Sequence, residues 1–77
     1  MKEYKLHFIN ASDVTDDFYI ILDEVVDDEE AIRESEIQFN FMSSEGGIAY
    51  DEKWNGFKAR LLKGGEPIWE DSIIFEW

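Results

Sequence analysis

The sequence predicts an α+β fold: one amphipathic helix packed on a mainly antiparallel four- to five-stranded sheet, in β-α-β-β-β-β order, within a single compact domain spanning residues 1–77. Two observations carry that prediction. The spacing of apolar residues changes along the chain from two to three or four and back to two. Three turn signals, Gly46-Gly47, Asn55-Gly56 and Gly64-Gly65, then divide the second half into short apolar-rich runs.

In chain order, Tyr4, Leu6 and Phe8 alternate with Lys5 and His7, the pattern of a strand with one buried face. Asn10-Ala11-Ser12-Asp13 then offers several helix N-caps. Beyond it, Val14, Phe18, Ile21, Leu22, Val25 and Ile32 fall within one arc of a helical wheel, which predicts a helix from about Asp13 to the low thirties. A break near Asp27-Asp28 would leave residues 27–35 open between helix and loop. Phe18-Tyr19-Ile20-Ile21 and Val25-Val26 also have strand propensity. A strand there would be apolar on both faces, with Asp23 and Glu24 in its middle, so the helix is the preferred reading.

After Ser35 the period returns to two, with Ile37, Phe39 and Phe41 alternating with Gln38, Asn40 and Met42, and a half-buried strand is expected. The three turn signals predict a β-meander joined by tight hairpins. In the last hairpin, a three-residue loop through Glu66 sets Phe57, Ala59 and Leu61 against Ile73 and Trp69, and Arg60 against Glu70. A two-residue Gly64-Gly65 loop would mix polar and apolar groups on both faces, so the longer loop is expected, with Asp71 left on the apolar face.

A chain of 77 residues lies near the lower limit for one self-sufficient core, and its 44% hydrophobic and 16% aromatic content supports folding. The absence of cysteine excludes disulfides and thiolate metal sites. Met1-Lys2-Glu3-Tyr4-Lys5 lacks the apolar stretch of a signal peptide, and no segment approaches the length of a membrane span, so a cytoplasmic protein with no membrane partner is expected.

Catalysis is not expected. His7 is the only histidine, it falls on the polar side of the first strand, and it has no cysteine to pair with. Asp23, Glu24, Asp27, Asp28 and Glu29 are hard oxygen donors but lack the central glycine of an EF-hand loop, so no metal site is expected. No glycine pair opens a phosphate-binding loop, and no cofactor is expected.

The net charge of −12 is the outlying property. It disfavours direct binding to nucleic acid and favours cationic partners. Residues 13–36 hold eleven acids against Arg33 alone and account for −10 of the total. On the expected helix, Asp13, Asp16, Asp17, Asp23, Glu24, Asp27 and Asp28 line the arc opposite the apolar one, and Glu34 joins them. At about 1.5 Å rise per residue this stripe has roughly one net charge per 3.6 Å, close to the charge spacing along one DNA strand. Among the aromatics, Trp54, beside Asn55-Gly56, is expected to be partly exposed at the edge of such a surface.

By composition alone the chain is similar to the small acidic inhibitors that phages and mobile elements encode against nucleic-acid-binding defence proteins, including anti-CRISPR and anti-restriction proteins. No residue is carried over from that analogy; it is the acidic stripe that points to a DNA-mimic inhibitor whose carboxylates occupy the basic groove of a nucleic-acid-binding protein such as a CRISPR effector or restriction nuclease. The partner-binding residues would be Asp13, Asp16, Asp17, Asp23, Glu24, Asp27, Asp28, Glu34 and Trp54. The alternatives are an immunity protein or antitoxin against a cationic toxin, and a structural or self-associating domain, a homo-oligomer, whose acidic face is merely solvated.

Overall fold

The computed structural model describes residues 3–44, 47 and 54–75. Strands β1 (Tyr4–Asn10) and β2 (Asp17–Ile21) precede a single helix, α1 (Asp28–Ser43), and strands β3 (Gly56–Lys63) and β4 (Glu66–Ile74) follow it. All neighbours pair antiparallel in the spatial order β2-β1-β3-β4, and α1 lies on one face. The α+β class, with one helix on an antiparallel sheet, is as expected. The element order is β-β-α-β-β instead of helix after the first strand.

The displacement of the helix has a physical cause. Asp27 caps α1 by accepting the Glu30 N–H at 2.8 Å, and Asp28, Glu29 and Glu30 fill the first turn, where the helix dipole favours anions. Ala31, Ser35, Phe39 and Met42 then recur at three- and four-residue spacing and are buried. Ser35 satisfies its enclosed hydroxyl by donating to the Ala31 carbonyl at 2.8 Å. The alternation of Ile37, Phe39 and Phe41 is therefore not a strand, since Phe39 faces the sheet while Ile37 and Phe41 face solvent. At the other end the Ser44 N–H and hydroxyl both donate to the Phe41 carbonyl.

Residues expected to begin the helix instead form a turn and an edge strand. Asp13 accepts the Thr15 N–H and hydroxyl, and the Asp16 N–H donates to the Asp13 carbonyl at 2.9 Å, closing a tight turn. β2 then pairs with β1, Phe18 opposite Phe8 and Ile20 opposite Leu6. It ends before Asp23, so no carboxylate interrupts it. Its two-sided hydrophobicity is tolerated because Tyr19 and Ile21 stay half exposed.

The β3–β4 hairpin has the expected register, Leu61 opposite Trp69, Arg60 opposite Glu70 and Phe57 opposite Ile73, but reaches it differently. Its loop is the two-residue Gly64-Gly65 turn with φ of 57° and 91°, the mirror-image turn suited to hairpins. A bulge beside Leu61 and Leu62 supplies the one-residue shift. Asp71 does stand on the helix side, opposite Ala59, but at the exposed β4 edge it accepts the Ser72 N–H at 2.8 Å and remains solvated. Asn55-Gly56 is not a hairpin turn. Gly56 opens β3, where a Cβ would stand 2.3 Å from the Ile73 carbonyl oxygen. The strand expected between Gly47 and Asn55 lies outside the described residues.

The core sits between α1 and the inner face of the sheet, built from Tyr4, Leu6 and Phe8 of β1 and Phe57, Ala59 and Leu61 of β3. Phe57 is its hub, with ring centroids 5.6 Å from Phe8, 5.0 Å from Phe39, 6.4 Å from Trp54 and 6.0 Å from Phe75. The start of α1 is fastened to the sheet by Asp28, whose Oδ1 accepts the Tyr4 hydroxyl at 2.6 Å and lies 2.8 Å from Lys63 Nζ.

Candidate functional site

The acids singled out from the sequence do not share one helical face. Asp13 and Asp16 lie in the β1–β2 turn and Asp17 opens β2. Asp23 and Glu24 lie in the loop before α1, Asp27 is its cap, and only Asp28 and Glu34 are helical. The continuous stripe with DNA-like spacing is thus overturned, because the segment meant to carry it turns, extends and turns again before the helix starts. The i,i+4 repulsions of such a stripe, Asp13 with Asp17 and Glu24 with Asp28, are absent as well.

Most of these carboxylates have local structural work. Thr15 donates through its hydroxyl and then its backbone N–H to Asp13 and holds that carboxyl below the usual range. Asn10 Nδ2 donates to Asp16 at 3.2 Å, and Asp17 lies 2.6 Å from His7 Nε2. Asp28 lifts the Tyr4 phenol above its ordinary range, first by accepting its hydrogen bond, then through the burial of the ring and its own negative charge. Glu34 accepts from Gln38 Nε2 at 3.1 Å. Asp23 and Glu24 are exposed and make no hydrogen bond or ion pair among the described residues.

Those two free acids border a groove of about 350 Å³ between the β2 edge and α1. Ile20, Leu22 and Val25 contribute apolar wall, and Asp23, Glu24, Glu30 and Glu34 contribute four carboxylates. The arrangement is suited to a long cationic side chain, which has an apolar stem and a charged end. Asp13, Asp16 and Asp17 stand at the other end of β2, so both ends of this edge strand are acidic. At about 3.3 Å per residue the two groups are roughly 20 Å apart.

Glu30 was not singled out from the sequence, although its place three residues after Asp27 is the capping-box signal that marks the helix start. Trp54, expected at a partly exposed edge, is instead 6% exposed in the core, 6.3 Å from Phe18 and 6.4 Å from Phe57. It cannot reach a partner in this conformation. His7 stacks on Tyr19 at 4.2 Å, and no hydroxyl or thiol hydrogen-bonds to it among the described residues. Among the described residues no three acids or histidines converge to hold a metal ion, and no helix is long and apolar enough to cross a membrane. Comparison with protein-family models, curated proteins and solved structures gave no match to this chain.

Proposed function

We propose that this chain is a small acidic inhibitor that binds, without catalysis, the basic nucleic-acid groove of another protein, of the kind a CRISPR effector or restriction nuclease presents. The observation that carries the reading is the concentration of −10 within residues 13–36, folded as acidic groups at both ends of the β2 edge and around the groove beside α1. The likeness to nucleic acid is one of charge and not of repeat. Lysines and arginines that normally hold phosphates would pair with Asp23, Glu24, Glu30 and Glu34, and complementary fields would speed encounter.

The test is calorimetric titration of a basic nuclease or CRISPR effector at about 50 mM and about 300 mM salt, with duplex DNA as competitor. Affinity should fall steeply with salt and DNA should displace the chain. Neutralising the groove with Asp23→Asn, Glu24→Gln, Glu30→Gln and Glu34→Gln together should weaken binding by about fourfold to several hundredfold, since an exposed ion pair contributes about 0.2–1 kcal/mol. Salt-indifferent binding, or full affinity in the neutralised variant, would refute the proposal.

A further inference from the structure

Only one face of the sheet is covered by α1, and the other carries a different kind of surface. On it, Lys5, Lys58 and Arg60 stand against Glu3, Asp17 and Glu70, so among the described residues the face is formally neutral, on a chain of net charge −12. Glu70 pairs with both Lys58 and Arg60 at 3.2 Å, and Lys5 pairs with Glu3 at 3.3 Å while standing 5.8 Å over the Tyr19 ring. Among these ion pairs lie large apolar groups in solvent, Tyr19 at 53%, Ile21 at 50% and Ile74 at 73% exposure.

We propose that this open face is where a second copy of the chain docks. Neutrality is the first reason, because a copy approaching from the acidic side meets repulsion that is absent here. The pairing register supplies the second. Across the sheet the central row reads Tyr19, His7, Arg60, Glu70 and the next reads Asp17, Ile9, Lys58, Ser72. A twofold axis along the strands lays β2 over β4 and β1 over β3, which sets Arg60 over histidine and Lys58 over isoleucine. Neither lysine nor arginine then stands over another lysine or arginine, and no two carboxylates are opposed.

Size is the third reason. Four strands about 4.8 Å apart and about seven residues long give a face of roughly 19 by 23 Å, or about 440 Å² in projection. Side-chain relief raises the accessible area above that, toward the about 800 Å² per partner of a standard interface. A face of this size lies at the small end of specific interfaces, so the dimer is expected only at high protein concentration. Its dependence on salt has the opposite sign to that of binding a basic partner. Salt screens the repulsion between two chains of like net charge and strengthens the dimer.

Sedimentation equilibrium of the full chain up to about 1 mM protein, at about 50 mM and about 500 mM salt, tests the proposal. The mean mass should rise toward twice the monomer's at high salt. Tyr19→Asp and Arg60→Ala should each weaken the dimer at least about tenfold, the equivalent of one hot-spot contact. Phe41→Asp, on the outward side of α1, should leave it unchanged, and circular dichroism would confirm that each variant is folded. A monomer under all conditions overturns the proposal. So does a dimer abolished by Phe41→Asp but not by Tyr19→Asp or Arg60→Ala.

Discussion

Phe39 and Phe41 are two residues apart, and alanine at each separates the helix from the strand that their spacing suggests. On a strand they share a face and cost about the same to remove; on a helix they are about 200° apart. Phe39 is 8% exposed, with ring centroids 5.0 Å from Phe57 and 6.2 Å from Trp69, whereas Phe41 is 57% exposed. Phe39→Ala should cost about 3–5 kcal/mol through lost burial and the cavity left behind. Phe41→Ala should cost under about 1 kcal/mol, as surface substitutions do. A chain of this length has roughly 4–12 kcal/mol of total stability. Phe39→Ala therefore lies at the edge of unfolding, and Phe39→Leu, at about 1.5 kcal/mol, keeps the comparison measurable. Urea unfolding followed by far-ultraviolet circular dichroism gives the difference. Equal costs for the two alanine variants, to within about 1 kcal/mol, would refute the helical assignment of residues 37–41.

Further outcomes follow from other contacts. Asp27→Ala should lower stability by about 1 kcal/mol by removing the cap, and Asp27→Asn should restore most of it, read from thermal unfolding. Asp13 and Glu70, the latter through hydrogen bonds first from Lys58 and then Arg60, are held below the usual carboxylate range. Their stabilisation is present above about pH 4 and is lost as the pH falls through their lowered values. Tyr4 is displaced upward, so its contribution is intact below about pH 10 and is lost as the pH rises through the raised value. Tyr4→Phe should lower the urea midpoint at neutral pH and flatten its decline in alkali. Gly56→Ala should cost about 1–3 kcal/mol, because the new Cβ collides with backbone. Gly64→Asn has no neighbour within 4 Å and a residue tolerant of positive φ, and should be neutral or stabilising by a few tenths of a kcal/mol in denaturant titration.

The legible parts of this sequence were those whose period matches their burial. β1 is half buried and alternates cleanly, and the β3–β4 register follows from keeping Phe57, Ala59 and Leu61 on one side. The helix was not legible from period because its outward face carries Ile37 and Phe41, which complete a false alternation with Phe39. β2 was obscured for the complementary reason, with Tyr19 and Ile21 in solvent opposite Phe18 and Ile20. The capping pair Asp27 and Glu30 is a stronger signal than either period, since it answers to orphan backbone donors and not to the core. For the site, the concentration of charge was legible and its geometry was not, because that geometry depended on the misplaced helix.

Among the described residues no strand pairs with the outer side of the short edge strand Asp17–Ile21, and Phe18-Tyr19-Ile20-Ile21-Leu22 has the composition of an amyloid-forming segment. Asp16 and Asp17 before it and Asp23 and Glu24 after it act as gatekeepers, since stacking copies in register would stack their charges too. That protection depends on ionised carboxyl groups. Near the sequence isoelectric point of about 4.2 the net repulsion between whole chains vanishes, and the same strand should then nucleate fibrils, detectable by thioflavin fluorescence, more readily than at neutral pH.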